Sequence, residues 1–106
     1  MEVNTLKIIN TLKWLEQWYL SSCSESSWEN VRVIQISTLD NPGWSVSIDL
    51  HGTPLESKFY KPIHADNGEN DWLECRVQSA MFKGMGSPNR LEDILVEFKD
   101  WVLSHQ

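Results

Sequence analysis

The stretch from Ile34 to Leu50 limits the possible folds more than any other. Two runs of alternating side chains meet at Asp40-Asn41-Pro42-Gly43, and alternation with period two marks strands that turn one face inward. Ile34, Ile36 and Thr38 fall on one side of the first run, while Trp44, Val46, Ile48 and Leu50 fall on one side of the second. Between them, Pro42 fixes φ at the value wanted at the second position of a turn, and Gly43 supplies the positive φ that a type II turn needs next. The stretch predicts a β-hairpin with one clear core face and Gly43 in the left-handed region.

The rest of the chain is placed around that hairpin. From Asn4 to Leu20, apolar residues at 8, 12, 15 and 19 line one helical face, with Asn4 or Thr5 as the cap and Ser21-Ser22-Cys23-Ser24 as the stop. Trp14 and Trp18 form a second stripe that widens this face, which is expected to lie against the sheet. Trp28 to Val33 starts strand pairing, with a bulge where Val33 adjoins Ile34. After a turn at His51-Gly52-Thr53-Pro54, Ser57 to Ile63 reads as a third strand with Phe59 and Ile63 on one side, and Pro62 makes it an edge. Ala65 to Asp71 is the most polar run and reads as a solvated loop.

Trp72 to Val77 alternates again, with Leu73, Cys75 and Val77 inward and Trp72, Glu74 and Arg76 outward. Ala80 to Met85 is a fifth short strand, and Gly84-Met85-Gly86-Ser87-Pro88 turns out of it. Leu91, Ile94, Leu95, Phe98, Trp101 and Val102 follow a helical period, and Asn89 three positions before Glu92 resembles a capping box. The pattern predicts an α+β fold: one antiparallel sheet of about five strands with N-terminal and C-terminal amphipathic helices packed on one face. No segments repeat and no linker divides the chain, so residues 1–106 are expected to form a single domain.

Composition narrows function mainly by exclusion. A chain of 106 residues with 41% hydrophobic content is long enough for its own core. The formal charge of −6 argues against nucleic-acid binding, which needs clustered Lys and Arg. Met1-Glu2-Val3-Asn4 opens no basic segment followed by an apolar run, and no stretch approaches a membrane span, so a cytoplasmic location is expected. Six tryptophans are many for this length, and some are expected at a surface. Cys23 and Cys75 match no metal or redox spacing, which predicts reduced thiols.

No residue set specifies catalysis. Cys75 lies within a strand pattern pointing inward, whereas a nucleophilic thiolate needs an anion-binding turn at a helix N-terminus. Cys23 follows a helix instead of preceding one. His51, His64 and His105 share no ligand spacing, and the acidic loop lacks the regular calcium-loop pattern. Gly84-Met85-Gly86 lacks the third glycine, the lysine and the βαβ setting of a phosphate loop. The expectation is no enzyme, no cofactor and no metal. The competing classes are a small cytosolic enzyme using a cysteine thiol, of the sulfurtransferase kind, and a generic ligand-binding or scaffold domain.

One further reading comes from an ordered set of motifs. Trp14-Leu15-x-x-Trp18-Tyr19, Trp28-Glu29, Thr38-Leu39-Asp40-Asn41-Pro42-Gly43-Trp44, Glu69-Asn70-Asp71-Trp72 with Cys75-Arg76-Val77, and Leu91-Glu92-Asp93-Ile94-Leu95 together resemble the immunity protein 53 family over nearly the whole chain. The resemblance implies a bacterial immunity protein that binds and neutralises the cognate toxin domain of a polymorphic toxin system, with no catalytic residues to carry over. The Ser-rich turn after Cys23 departs from the more acidic segment expected there, which bears on partner specificity. An acidic surface suits a basic toxin. The partner surface is expected to combine Asp40 and Asn41 of the hairpin turn, Asp66, Glu69 and Asp71 of the acidic loop, and Trp72 and Glu74 on the outward side of the fourth strand, an aromatic anchor ringed by polar groups.

Overall fold

The computed structural model describes the backbone of residues 2–24 and 33–106, and the side chains of 11–22 and 33–106. The expected α+β architecture is present: α1 (Glu2–Ser24), β1 (Ile34–Leu39), β2 (Gly43–Asp49), β3 (Ile63–Asp66), β4 (Trp72–Gln78), β5 (Met81–Gly86) and α2 (Leu91–Ser104). The five strands form one antiparallel sheet in the order β1-β2-β5-β4-β3. Residues directly opposite in an antiparallel pair share a face. One face therefore carries Val46, Ile48, Phe82, Cys75 and Leu73, all buried.

Helix α2 lies on that face because two strand positions have no side chain to hold it off. A Cβ on Gly84 would collide with Ile94 Cγ2, and one on Gly86 would come within 2.8 Å of Arg90 Cβ. Ile94, Leu95, Phe98, Trp101 and Val102 are buried, as their period predicts. Gly84 and Gly86 thus belong to the strand, and the turn expected at Gly84–Pro88 begins only at Ser87. The capping box is absent too: Arg90 is the N-cap without a side-chain cap bond, and Asn89 Oδ1 accepts from the Ser87 hydroxyl at 2.8 Å.

The first helix differs from its expected form in length and in rotation. It starts at Glu2, ahead of Asn4 and Thr5, and runs through Ser21–Ser24, since serine costs only a few tenths of a kcal/mol per helical position. Thr11 and Leu15 are buried, but Leu12 is 56% exposed and Tyr19 is exposed as well. The tryptophan stripe takes the inner side, resting not on the sheet but edge-on against Phe98 of α2, with centroids at 5.9 Å for Trp14 and 5.0 Å for Trp18. Larger rings bury more apolar area, so they win the inward position.

In the hairpin Ile34 pairs with Ile48, Ile36 with Val46 and Thr38 with Trp44, so the inward sets of its two strands share one face. Its core face is incomplete, however, because β1 is the sheet's edge: Ile36 is 41% exposed and Thr38 is exposed too. Leu39 pairs with Gly43, leaving Asp40, Asn41 and Pro42 as the loop. Gly43 has no positive φ. It is glycine because a Cβ there would run into the carbonyl oxygen of Gly86.

The third strand is displaced. Ser57 to Pro62 is not in a strand, and β3 occupies Ile63–Asp66, taking Ala65 and Asp66 out of the expected loop. Phe59 is 77% exposed while Tyr60 is buried, its ring edge-on to Phe82 at 5.7 Å and to Trp101 at 5.2 Å. The fifth strand begins at Met81 because Ser79 and Ala80 form the turn, with φ of 54° and 59°. The bulge expected at Val33 and Ile34 is absent: the Val33 carbonyl accepts from Asp49 N–H, in step with the pairing of Ile34 with Ile48; the strand pairing expected over 28–32 lies outside the described residues, as do the side chains of Asn4, Ile8 and Cys23.

Candidate functional site

Sheet order gathers most of the expected partner residues at one end. The β1–β2 loop with Asp40 and Asn41, the β3–β4 loop with Glu69 and Asp71, and the β5–α2 connection all lie where β2 begins and β5 ends. Three strand spacings separate the two loops, roughly 14 Å. Asp66 pairs with Trp72 and His64 with Glu74, so these side chains project from the face opposite α2. No described helix packs on that face.

Asp40, Asn41, Asp66 and Glu69 are exposed, while Asp71, Trp72 and Glu74 are half-buried. Several carboxylates are already engaged within the chain. Asp66 Oδ1 accepts from Gly68 N–H at 3.1 Å, which shapes the loop where Gly68 takes φ of 115°. Glu74 Oε2 accepts from His64 Nδ1 at 3.0 Å. Asp71 Oδ1 accepts from Arg90 Nε at 2.8 Å, and Arg90 Nη1 donates to Asp93 Oδ2 at 2.8 Å. Those hydrogen bonds, to Asp93 and then to Asp71, raise the Arg90 pKa. Asp71 is thus a clasp to the start of α2 more than a free surface charge.

Trp72 is held by a residue that carries no sequence signal. Ser87 is fully buried; its N–H donates to Trp72 O at 3.0 Å and its hydroxyl oxygen accepts from Trp72 N–H at 3.1 Å. This fixes the backbone of Trp72 while leaving the indole on the face away from α2. Arg90 was equally hard to foresee, since its partner Asp71 is 19 residues away.

Cys75, the candidate nucleophile of the enzyme reading, is a free thiol exposed by only 1%. Burial first, and the charge of Glu97 second, push its pKa up to about 12. The hydroxyl of Tyr60, against this sulfur, is raised above its ordinary range by burial and has no well-formed hydrogen bond. The thiol is therefore protonated at neutral pH and sits behind the sheet. Among the described residues, no three His, Cys, Asp or Glu side chains gather as a metal cage. A cavity of about 250 Å³ lies beside Trp18, Lys58 and His105, somewhat below the roughly 300–1,000 Å³ of ordinary ligand pockets. No described helix is long and apolar enough to cross a membrane.

Fold and site define a small α+β domain with one sheet face packed under a helix and an acid-rich loop end beside its other face. The chain belongs to the immunity protein 53 family: the family model described as Immunity protein 53 matches residues 12–103. No curated protein and no solved structure matches it.

Proposed function

We propose that this protein is a bacterial immunity protein that acts by binding, not by catalysis, and neutralises the cognate toxin domain of a polymorphic toxin system in the cytoplasm of the producing cell. The observation that carries the reading is family membership over residues 12–103. The net charge of −6 and the exposed Asp40, Asp66 and Glu69 at one end of the sheet support a partner with a basic surface, since opposite charge speeds encounter. A buried, protonated Cys75 disfavours the thiol-enzyme alternative.

The partner surface in this reading is the loop end together with Trp72 and Glu74, with Asp71 acting through its hold on Arg90. Co-expression with the toxin domain encoded beside it should rescue growth. Trp72→Ala should weaken binding by about 2 kcal/mol or more, as loss of an aromatic anchor does, while the thermal midpoint stays near wild type. A folded wild-type chain that fails to protect cells would refute the function; Trp72→Ala that protects and binds normally would refute the surface.

A further inference from the structure

The sheet register brings together two cations seven residues apart in sequence. Arg76 of β4 stands directly opposite Lys83 of β5, so both project from the face away from α2, with Cβ atoms about 4.5–5.5 Å apart. Both are exposed, and neither has an ion-pair or hydrogen-bond partner among the described residues. Like charges so placed repel. The next outward carboxylate on β4, Glu74, does not relieve them, because it is bonded to His64 on β3. Between the cations and that His64–Glu74 pair lies a recess of about 170 Å³ bordered by Met85.

Two unneutralised cations at the rim of a small recess call for one anionic group. A guanidinium fork beside a lysine suits a carboxylate, whose two oxygens it can meet together. A polyanion is the wrong occupant, since Asp49, Asp66 and Glu74 project from the same face and the whole chain carries −6. Half-buried Met85 and Trp72 nearby supply the apolar and aromatic contacts that protein interfaces favour.

We propose that the sheet face opposite α2 docks the toxin by seating an Asp or Glu side chain of the toxin between Arg76 and Lys83. This rests on the immunity reading and adds to it a chemistry that overall charge does not contain. The toxin's contact surface is then basic at its rim, facing Asp40, Asp66 and Glu69, with an acidic residue further in.

Binding of the full-length chain to the toxin domain encoded beside it tests this. Arg76→Glu and Lys83→Glu should each weaken binding at least about tenfold. Arg76→Glu should also melt no lower than wild type, because it places opposite charges across the strands where like charges stood. Lys58→Glu, an exposed site away from the recess, adds the same negative charge and should change affinity by less than about twofold. General attraction between an acidic inhibitor and a basic toxin predicts the opposite sign, with all three variants binding as well as wild type or better. That result, with wild type binding, overturns the carboxylate seat and leaves the immunity function standing. A folded wild type that does not bind the toxin overturns both.

Discussion

At the scale of single residues, several identities are explained by what lies next to them and not by their place in a pattern. Gly43 reads in sequence as a turn glycine with positive φ, yet its need is for space against the Gly86 carbonyl. Gly43→Val should lower stability by about 1–3 kcal/mol, the usual cost of overpacking, measured by denaturant unfolding. Ala80 is the converse case: it holds φ of 59° with no glycine to ease it, in a two-residue hairpin turn where such residues are costly. Ala80→Gly should therefore raise stability by up to about 1 kcal/mol, seen as a higher thermal midpoint. Cys75 should resist thiol reagents in the folded protein and react freely after unfolding, because thiolate is the reactive form. Its linkage has a definite sign. The thiol ionises near 9.0 when free and at about 12 when folded, so the unfolded state loses its proton first and stability falls as pH rises from about 9 to 12. Tyr60 is raised as well and adds to the fall. Cys75→Ala should flatten that slope in melts taken across the interval.

At the scale of elements, legibility followed the strength of periodicity. Helix α2 and strands β2 and β4 could be read because each has a single inward set: Ile94, Leu95, Phe98, Trp101 and Val102 in one, Val46 and Ile48 in another, Leu73 and Cys75 in the third. Helix α1 carries two adjacent stripes, and only contact with Phe98 decides that Trp14 and Trp18 turn inward while Leu12 does not. Strand β3 lies later than its local pattern predicts: Phe59 and Ile63 fit a period of two, whereas Tyr60 is drawn into the core by Phe82 and Trp101, a tertiary pull that local pattern does not contain. The seat of α2 on β5 is a similarly non-local fact. Gly84→Ala should cost about 1–3 kcal/mol, since the new methyl meets fully buried Ile94; an unchanged unfolding midpoint would show that α2 shifts freely over the sheet.

At the scale of the molecule, the two layers give the sheet faces different tasks. One is covered by α2, on which α1 rests in turn, and the other presents Trp72, Glu74, Arg76, Lys83 and Met85 beside an acid-rich loop end. Residue alternation alone assigned Trp72 and Glu74 to the outward side. The clasp of Asp71 on Arg90 and the facing of Arg76 and Lys83 needed the strand order 2-5-4, which no local signal encodes. The central claim is that this chain neutralises a toxin by holding it. Titration calorimetry of the purified chain into the cognate toxin domain of the proposed reading tests that claim most directly. A saturable 1:1 complex with Kd tighter than about 1 μM, the range of specific protein pairs, is the predicted result; no binding heat and no co-migration from a chain shown to be folded would contradict it.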